Sequence, residues 1–177
     1  MRICEIASTS CRLYPASLNP STSNKSSIPK PIDTQLAEIK IRLFSESWLA
    51  EPDADGNFPT NGDRFAAQEV KKRLDTEGFT RKGFICQAIA AGWHHKSADQ
   101  LKQLGDDIGR KRIQVVHGTI DNMITVPHAE VLVRELGGEE SGVKKTIIKG
   151  RGHVLPVEER AEIARLITDI IEKTEAM

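Results

Sequence analysis

The sequence predicts an α/β fold, because two short apolar segments in the C-terminal third each precede a helical pattern. The first segment, 113–117, reads IQVVH and is apolar on both faces apart from Gln114. This pattern is typical of a parallel strand that is covered on both sides. The second segment is 144–149, KKTIIK. The order strand, helix, strand, helix predicts a right-handed parallel crossover, with short parallel strands flanked by helices.

The two helices of this unit are predicted from their end signals and their apolar positions. Thr125 is expected to cap the first helix, and Gly137 and Gly138 are expected to end it. Its apolar face comprises Ala129, Leu132, Val133 and Leu136. The inner face of the last helix, after Pro156, comprises Ile163, Ile167, Ile170 and Ile171. Glu158 and Glu159 are expected near the positive N-terminal end of that helix, where negative charge is favourable.

Residues 1–35 are predicted to form a disordered Ser/Pro-rich tail. The segment contains four prolines and seven serines. Such a composition buries too little apolar surface to offset the entropy that is lost on ordering. Arginines and serines, with Glu5 as the one acidic residue before Asp33, are also the composition of an organelle transit peptide.

Residues 36–112 are predicted to form a helical region. Within it, the segment 36–49 is apolar but fits a strand or a helix, because its apolar residues satisfy both periodicities. The segment 50–62 is rich in turn-forming residues and is expected to be a loop.

Three short helices are expected in the rest of this region. The first is predicted over 63–77, and one of its faces comprises Ala66, Val70 and Leu74. The second is a short amphipathic helix over 83–92. Ser97 and Gln100 have the spacing of a capping box for the third. Such helices before a buried strand fit a lid over a site and an ordinary helical subdomain equally well.

The overall composition excludes several classes of partner. Lysine plus arginine equals aspartate plus glutamate at 25 each, so no basic excess favours binding to nucleic acid. No apolar run approaches the roughly 18 residues of a membrane span. Cys4, Cys11 and Cys86 have no metal-type spacing, and any disulfide leaves one unpaired. A reduced, cytoplasmic setting is therefore expected, with no metal and no cofactor.

Asp121 and His153 are the residues most suggestive of chemistry. Asp121 follows the first predicted strand, and His153 stands 32 positions later, after the second. An acid followed by a histidine, each at the C-terminal tip of a strand, matches the second half of the order serine, acid, histidine in a hydrolase triad. Asp121 would fix the tautomer of His153, and His153 would act as a general base. Alternatively, Asp121 caps a turn and His153 is a surface-loop histidine.

Residues 113–174 resemble the last two strands and helices of the α/β-hydrolase fold. His117-Gly118-Thr119-Ile120-Asp121 is similar to the family's HG-x-x-D loop, and Gly150-Arg151-Gly152-His153 is similar to its G-x-G-H loop. The resemblance implies that Asp121 is the catalytic acid and His153 the catalytic base. The helices at 62–105 resemble the family's cap, so the likeness covers about residues 60–174. The implied fold class is α/β, a partial α/β-hydrolase fold with a helical cap segment.

The nucleophile that the resemblance requires is missing. No Gly-x-Ser-x-Gly elbow occurs in the 177 residues. Cys86 is expected inside a helix rather than on a nucleophile turn. His94 and His95 have no carboxylate or cysteine at metal-ligand spacing, so a role at a helix end or on the surface of a lid is expected for them.

The sequence therefore predicts a truncated α/β-hydrolase, inactive as written, whose complete form would act on a small ester, amide or peptide-like substrate. The alternative is a non-catalytic binding or regulatory module, whose open sheet edge a partner chain would cover. A complete small α/β domain of another family would need a phosphate-binding glycine loop or a similar motif, and none occurs.

Overall fold

A computed structural model describes residues 30–176, and its centre is a parallel pair of strands. Strand β1 is Gln114–Gly118 and strand β2 is Lys144–Ile148. They pair in register from Gln114 opposite Lys144 to Gly118 opposite Ile148. The predicted parallel crossover is confirmed in its strand direction, and the arrangement is compatible with an α/β class.

Helices make up most of the described chain. Before the sheet lie α1 (Ile32–Leu43), α2 (Glu46–Ala50), α3 (Asn61–Leu74), α4 (Arg81–Trp93) and α5 (Ala98–Ile108). After β1 come α6 (Val126–Glu135), and after β2 come α7 (Leu155–Glu158) and α8 (Arg160–Glu175). Within residues 30–176, no helix combines the length and the apolar composition that a membrane span requires.

The hydrophobic core lies between the sheet, α5 and α6. Its buried residues are Leu101, Val115, Ala129, Val133, Leu136 and Val143. Leu136 is fully buried, and Leu132 packs against the cluster from its edge. The apolar face predicted for α6 is therefore confirmed, and α6 packs against both β1 and α5.

The outer edge of β1 has no strand partner among residues 30–176. The amide of Lys144 donates to the carbonyl of Ile113, and the amide of Thr119 donates to the carbonyl of Ile148. In this parallel register the odd-numbered residues of β1 bond to β2, so the backbone groups of Gln114 and Val116 point to the opposite edge. An unpaired strand edge is a template for another strand.

Of the two interpretations of segment 36–49, the helical one is confirmed, because the segment lies in α1 and α2 apart from Phe44 and Ser45. One boundary differs from the prediction: α1 begins at Ile32, so residues 32–35 belong to a helix rather than to the tail. The tail predicted over residues 1–35 otherwise lies outside the described residues, apart from Lys30 and Pro31.

Helix α3 does not pack through the predicted apolar face. Leu74 is exposed, whereas Arg64 and Glu69 are buried. Arg64 is buried because its Nε lies 3.1 Å from Asp53 Oδ1 and its guanidinium stacks 5.9 Å from the Trp48 ring centroid. The ion pair of Arg64 with Asp53 and the edge-to-face contact of Phe65 with Phe44 hold the helix in place, and neither involves the predicted stripe of apolar residues.

Two further helices bury less than the sequence predicted. Helix α4 was expected to be amphipathic, but none of its residues is buried among residues 30–176. In α8 the buried residue is Leu166, while Ile167 of the predicted inner face is exposed. Ile163, Ile170 and Ile171 are half-buried, so the inner face of α8 includes Leu166 and keeps three of the four predicted residues.

The predicted caps have different outcomes. Ser97 and Gln100 form the expected capping box at the start of α5. Thr125 occupies the N-cap position of α6, but its side chain makes no capping hydrogen bond. Its hydroxyl instead lies 3.2 Å from Nδ1 of His128. Gly137 and Gly138 end the helix with positive φ angles of 120° and 81°, as their position predicted.

Two helical glycines test the packing of the fold. A Cβ on Gly105 in α5 would lie 2.5 Å from the carbonyl oxygen of Leu136, whereas a Cβ on Gly92 in α4 would meet nothing within 4 Å. Gly105→Ala is expected to lower the free energy of unfolding by about 1–3 kcal/mol. Gly92→Ala is expected to raise it by up to about 1 kcal/mol, because alanine favours helices. Urea denaturation measures both, and equal stabilities would contradict the close contact.

Candidate active site

Asp121 lies just beyond the C-terminal end of β1, and its carboxylate is held from two sides. Oδ1 accepts hydrogen bonds from the amides of Met123 at 2.8 Å and Ile124 at 2.9 Å. The side chain is only 4% exposed. These two backbone donors fix the orientation of the carboxylate, so Oδ2 is left to face other groups. Asp121 therefore caps a turn, as one interpretation of the sequence held, and its second oxygen remains available for a further contact.

His153 lies on the loop after β2 and contacts the free oxygen of this carboxylate. Its Nδ1 is 2.9 Å from Asp121 Oδ2, although the two residues are 32 positions apart in sequence. The imidazole is 30% exposed. Because the carboxylate can only accept, the proton of a neutral His153 belongs on Nδ1, and Nε2 presents a lone pair. No side chain among residues 30–176 forms a hydrogen bond with Nε2.

Close backbone contact brings the two loops together. A Cβ on Gly118 would lie 2.3 Å from the carbonyl oxygen of Arg151, so only glycine fits at the end of β1. The amide of Ile120 donates to the same carbonyl at 3.1 Å, and the amide of Gly150 donates to Thr119 Oγ1 at 2.8 Å. The glycine of the HG-x-x-D motif is thus required by packing between the loops.

His117 places a second imidazole next to Asp121. Its Nδ1 lies 2.8 Å from the carbonyl oxygen of Gly118, and its Nε2 lies 3.5 Å from Asp121 Oδ2. Both neighbours are acceptors, so a neutral imidazole with one N–H can satisfy only one of them. The shorter contact assigns that proton to Nδ1. Nε2 is then a buried nitrogen without a hydrogen-bond partner among the described residues.

A buried carboxylate braces the histidine loop from below. Glu158 in α7 is 6% exposed and accepts hydrogen bonds from the Ser45 hydroxyl at 2.6 Å and the Gly152 amide at 3.0 Å. The carbonyl of Leu43 also accepts from the amide of His153 at 2.9 Å. These bonds tie the loop that carries His153 to the junction of α1 and α2.

Arg151 adds an ionic contact between the same parts of the chain. Its guanidinium bonds to Glu159 and, at 3.0 Å, to Glu51 beyond α2. Burial opposes the charge of Arg151, but the hydrogen bonds to Glu159 and Glu51 outweigh burial and raise its pKa. The side chain of Arg151 therefore supports the loop, and its charge is paired with two carboxylates.

Sequence reasoning missed this brace. Glu158 was expected to act through the helix dipole, and no sequence pattern singles out Ser45. The contact joins residues 113 positions apart, and no local pattern encodes such a separation. The sequence does place a carboxylate just before a helix, but a favourable interaction with the helix dipole explains that position as well as a buried contact does.

The described serines do not include a nucleophile for His153. They are Ser45, Ser47, Ser97 and Ser141. Ser45 is 1% exposed and donates to Glu158, and Ser141 donates to the carbonyl of Gly138. None of the four forms a hydrogen bond with His153.

The remaining sequence candidates lie away from this pair. Cys86 is exposed on α4, and His94 and His95 are exposed just after that helix. Within residues 30–176, no group of three or more His, Cys, Asp or Glu side chains has a geometry that could hold a metal ion.

Asp121→Asn is expected to change the tautomer of His153. The amide oxygen of Asn would keep the bonds from Met123 and Ile124, so its NH₂ group would face His153 and the ring proton would move to Nε2. Ring ¹⁵N chemical shifts from long-range ¹H–¹⁵N NMR spectra distinguish the two tautomers. His128, whose Nδ1 contacts Thr125 and not an acid, serves as the internal control. An unchanged His153 spectrum would contradict the contact with Asp121.

Glu158→Gln is expected to weaken the brace. The new NH₂ group would face the donors of Ser45 and Gly152, so we expect the free energy of unfolding to fall by about 1–3 kcal/mol. The matched control is Glu162→Gln, whose carboxylate pairs with Arg165 at an exposed site and should contribute little. Denaturant unfolding of the two variants makes the comparison, and equal stabilities would show that the buried network contributes nothing specific.

Comparison with known proteins gives no match: no protein-family model, no curated protein and no solved structure matches the chain. The similarity to α/β-hydrolases stays a prediction from the HG-x-x-D and G-x-G-H motifs. The function proposed below is supported by those motifs and by the geometry of Asp121 and His153.

Proposed function

We propose that this chain supplies the acid and the base of a serine-hydrolase site of the α/β-hydrolase type. Asp121 orients His153 and stabilises the imidazolium that forms when His153 takes a proton. His153 is the general base, through Nε2. The substrate class is a small ester, amide or peptide-like molecule, and the helices before β1 form part of the cap over it.

The observation that carries the proposal is the 2.9 Å contact between His153 Nδ1 and Asp121 Oδ2 at the carboxyl edge of two parallel strands. In this geometry Nε2 of His153 is the basic atom and is free to accept a proton from a hydroxyl group. Oδ1 of Asp121 accepts two backbone hydrogen bonds, and Oδ2 makes its shorter histidine contact with His153.

The nucleophile comes from a segment outside these 177 residues, in which no Gly-x-Ser-x-Gly elbow occurs. The nucleophile must lie at the carboxyl edge of the sheet, near His153. A further strand could pair with the unpaired edge of β1 and end at that carboxyl edge. A strand added there would end next to Asp121 and would continue the sheet. A serine at its exit would then lie within reach of His153.

The second candidate function is a non-catalytic binding or regulatory module that keeps this half of the fold. The free edge of β1 favours it as well, because a partner chain would pair there whether or not it carried a serine. The two functions differ in one property, which is the presence of a reactive serine in the assembled protein.

A serine-reactive probe separates these functions. The endogenous protein is captured with an antibody against α8, incubated with a fluorophosphonate probe and measured by intact mass. We expect a labelled species, either this chain within a polypeptide larger than 19.6 kDa or a partner bound to it. His153→Ala introduced at the native locus should abolish the label, because serine activation needs the base.

The isolated chain is the control for this experiment. It should not react with the probe, and it should not turn over 4-nitrophenyl acetate at a rate that depends on Asp121 or His153. An endogenous protein of 19.6 kDa that carries no label and has no labelled partner would contradict the hydrolase proposal and leave the binding module. A label that persists in His153→Ala would exclude His153 as the base.

A further inference from the structure

Helix α4 stands apart from the rest of the described chain. Every residue from 74 to 100 is exposed, and none of the side chains of α4 is buried. The large apolar side chains are Phe84, Ile85, Ile89 and Trp93, and they are 58%, 45%, 53% and 78% exposed. Ile85, Ile89 and Trp93 follow one another at intervals of four residues and therefore form a stripe along the helix.

This amount of exposed apolar surface is unfavourable in water. Eight of the 13 residues of α4 are apolar: Phe84, Ile85, Cys86, Ala88, Ile89, Ala90, Ala91 and Trp93. A helix with this composition is stable when an apolar surface of a protein or a lipid covers it. Gly83, Phe84 and Gln87 lie on the opposite side of the helix, which therefore carries no charged residue.

The charges around α4 indicate what covers it. No acidic residue occurs between Glu77 and Asp99, although the whole chain is neutral. Arg81 and Lys82 lie at the N-terminal end of the helix, and Lys96 follows its C-terminal end after His94 and His95. The apolar stripe is thus flanked at both ends by cations without neutralising carboxylates.

The length and the charge of α4 indicate which kind of partner covers its apolar side chains. Two copies of α4 packed together would bring their like charges close, which disfavours a second copy of this chain. At 13 residues the helix is about 20 Å long, shorter than the roughly 30 Å hydrocarbon core, so it does not span a bilayer. An apolar medium with a negative surface satisfies both the stripe and the flanking cations.

We infer that α4 binds the interface of an anionic lipid membrane. Ile85, Ile89 and Trp93 enter the boundary between headgroups and acyl chains, and Arg81, Lys82 and Lys96 contact the phosphates. A tryptophan at the headgroup level is typical of such interfaces. This inference does not depend on the proposed hydrolase function, because α4 contains neither Asp121 nor His153.

The two tryptophans provide the assay. Trp48 is 4% exposed and Trp93 is 78% exposed, so a change in tryptophan emission on adding lipid reports on α4. The full chain is titrated with vesicles of phosphatidylcholine alone and of an equimolar mixture with phosphatidylserine. We expect a blue shift with the mixed vesicles alone, and its reversal as the salt concentration rises.

Variants test the two parts of the surface. The double substitution Arg81→Gln and Lys82→Gln is expected to weaken vesicle binding by roughly 30-fold, and the same change at the exposed Lys111 and Arg112 should leave it unchanged. Ile85→Ser with Ile89→Ser should abolish the blue shift while circular dichroism stays constant. Trp93→Phe should lose the emission change but still sediment with the vesicles.

Three results would overturn the inference. The first is the absence of sedimentation with mixed vesicles. The second is equal binding to neutral vesicles, which would show that the cations recognise nothing. The third is a blue emission without lipid, accompanied by a dimer in sedimentation velocity, which would show that a second copy covers α4.

Discussion

The parallel pairing of β1 with β2 is the constraint on which the site depends. Register places Gly118 opposite Ile148, so the two chains leave the sheet at the same level and on the same edge. Asp121 is three residues past one strand end and His153 is five residues past the other. A shift of register by one residue would reverse the faces of a strand and move these side chains apart. The close contact of Gly118 with the carbonyl of Arg151 then sets the distance between the two loops.

The part of the fold that sequence could predict is the part that local patterns encode. Runs such as IQVVH, the glycine pair after α6 and the spacing of Ser97 and Gln100 report on residues near one another in the chain. The proximity of Asp121 and His153 followed from the same logic, because the carboxyl ends of parallel strands share an edge. Their catalytic role, in contrast, is still a prediction.

The rest was not predictable because it depends on polar contacts between distant segments. Arg64 buries its guanidinium against Asp53 and Trp48, which an apolar periodicity cannot report. Glu158 and Ser45 meet from opposite ends of the described chain. His117 was read as a part of a motif, and the lack of a partner for its Nε2 emerges only when the acceptors around the ring are placed. Helix α4 has the pattern of a buried helix and lacks the neighbour that would bury it.

The hydrogen bond from the amide of His153 to the carbonyl of Leu43 connects the position of His153 to helices α1 and α2, which contain neither Asp121 nor His153. If α1 and α2 open locally, the amide of His153 loses its hydrogen bond to the carbonyl of Leu43. Glu158, which accepts from the amide of Gly152, also loses its hydrogen bond from Ser45. Asp121 keeps its own backbone donors during such an opening. The loop of Asp121 loses a contact as well, because the side chain of Asn122 donates to the carbonyl of Ile41 in α1 at 2.9 Å. Opening of the N-terminal helices would therefore loosen both loops and leave the strand pairing and the contact at Gly118 to hold the pair.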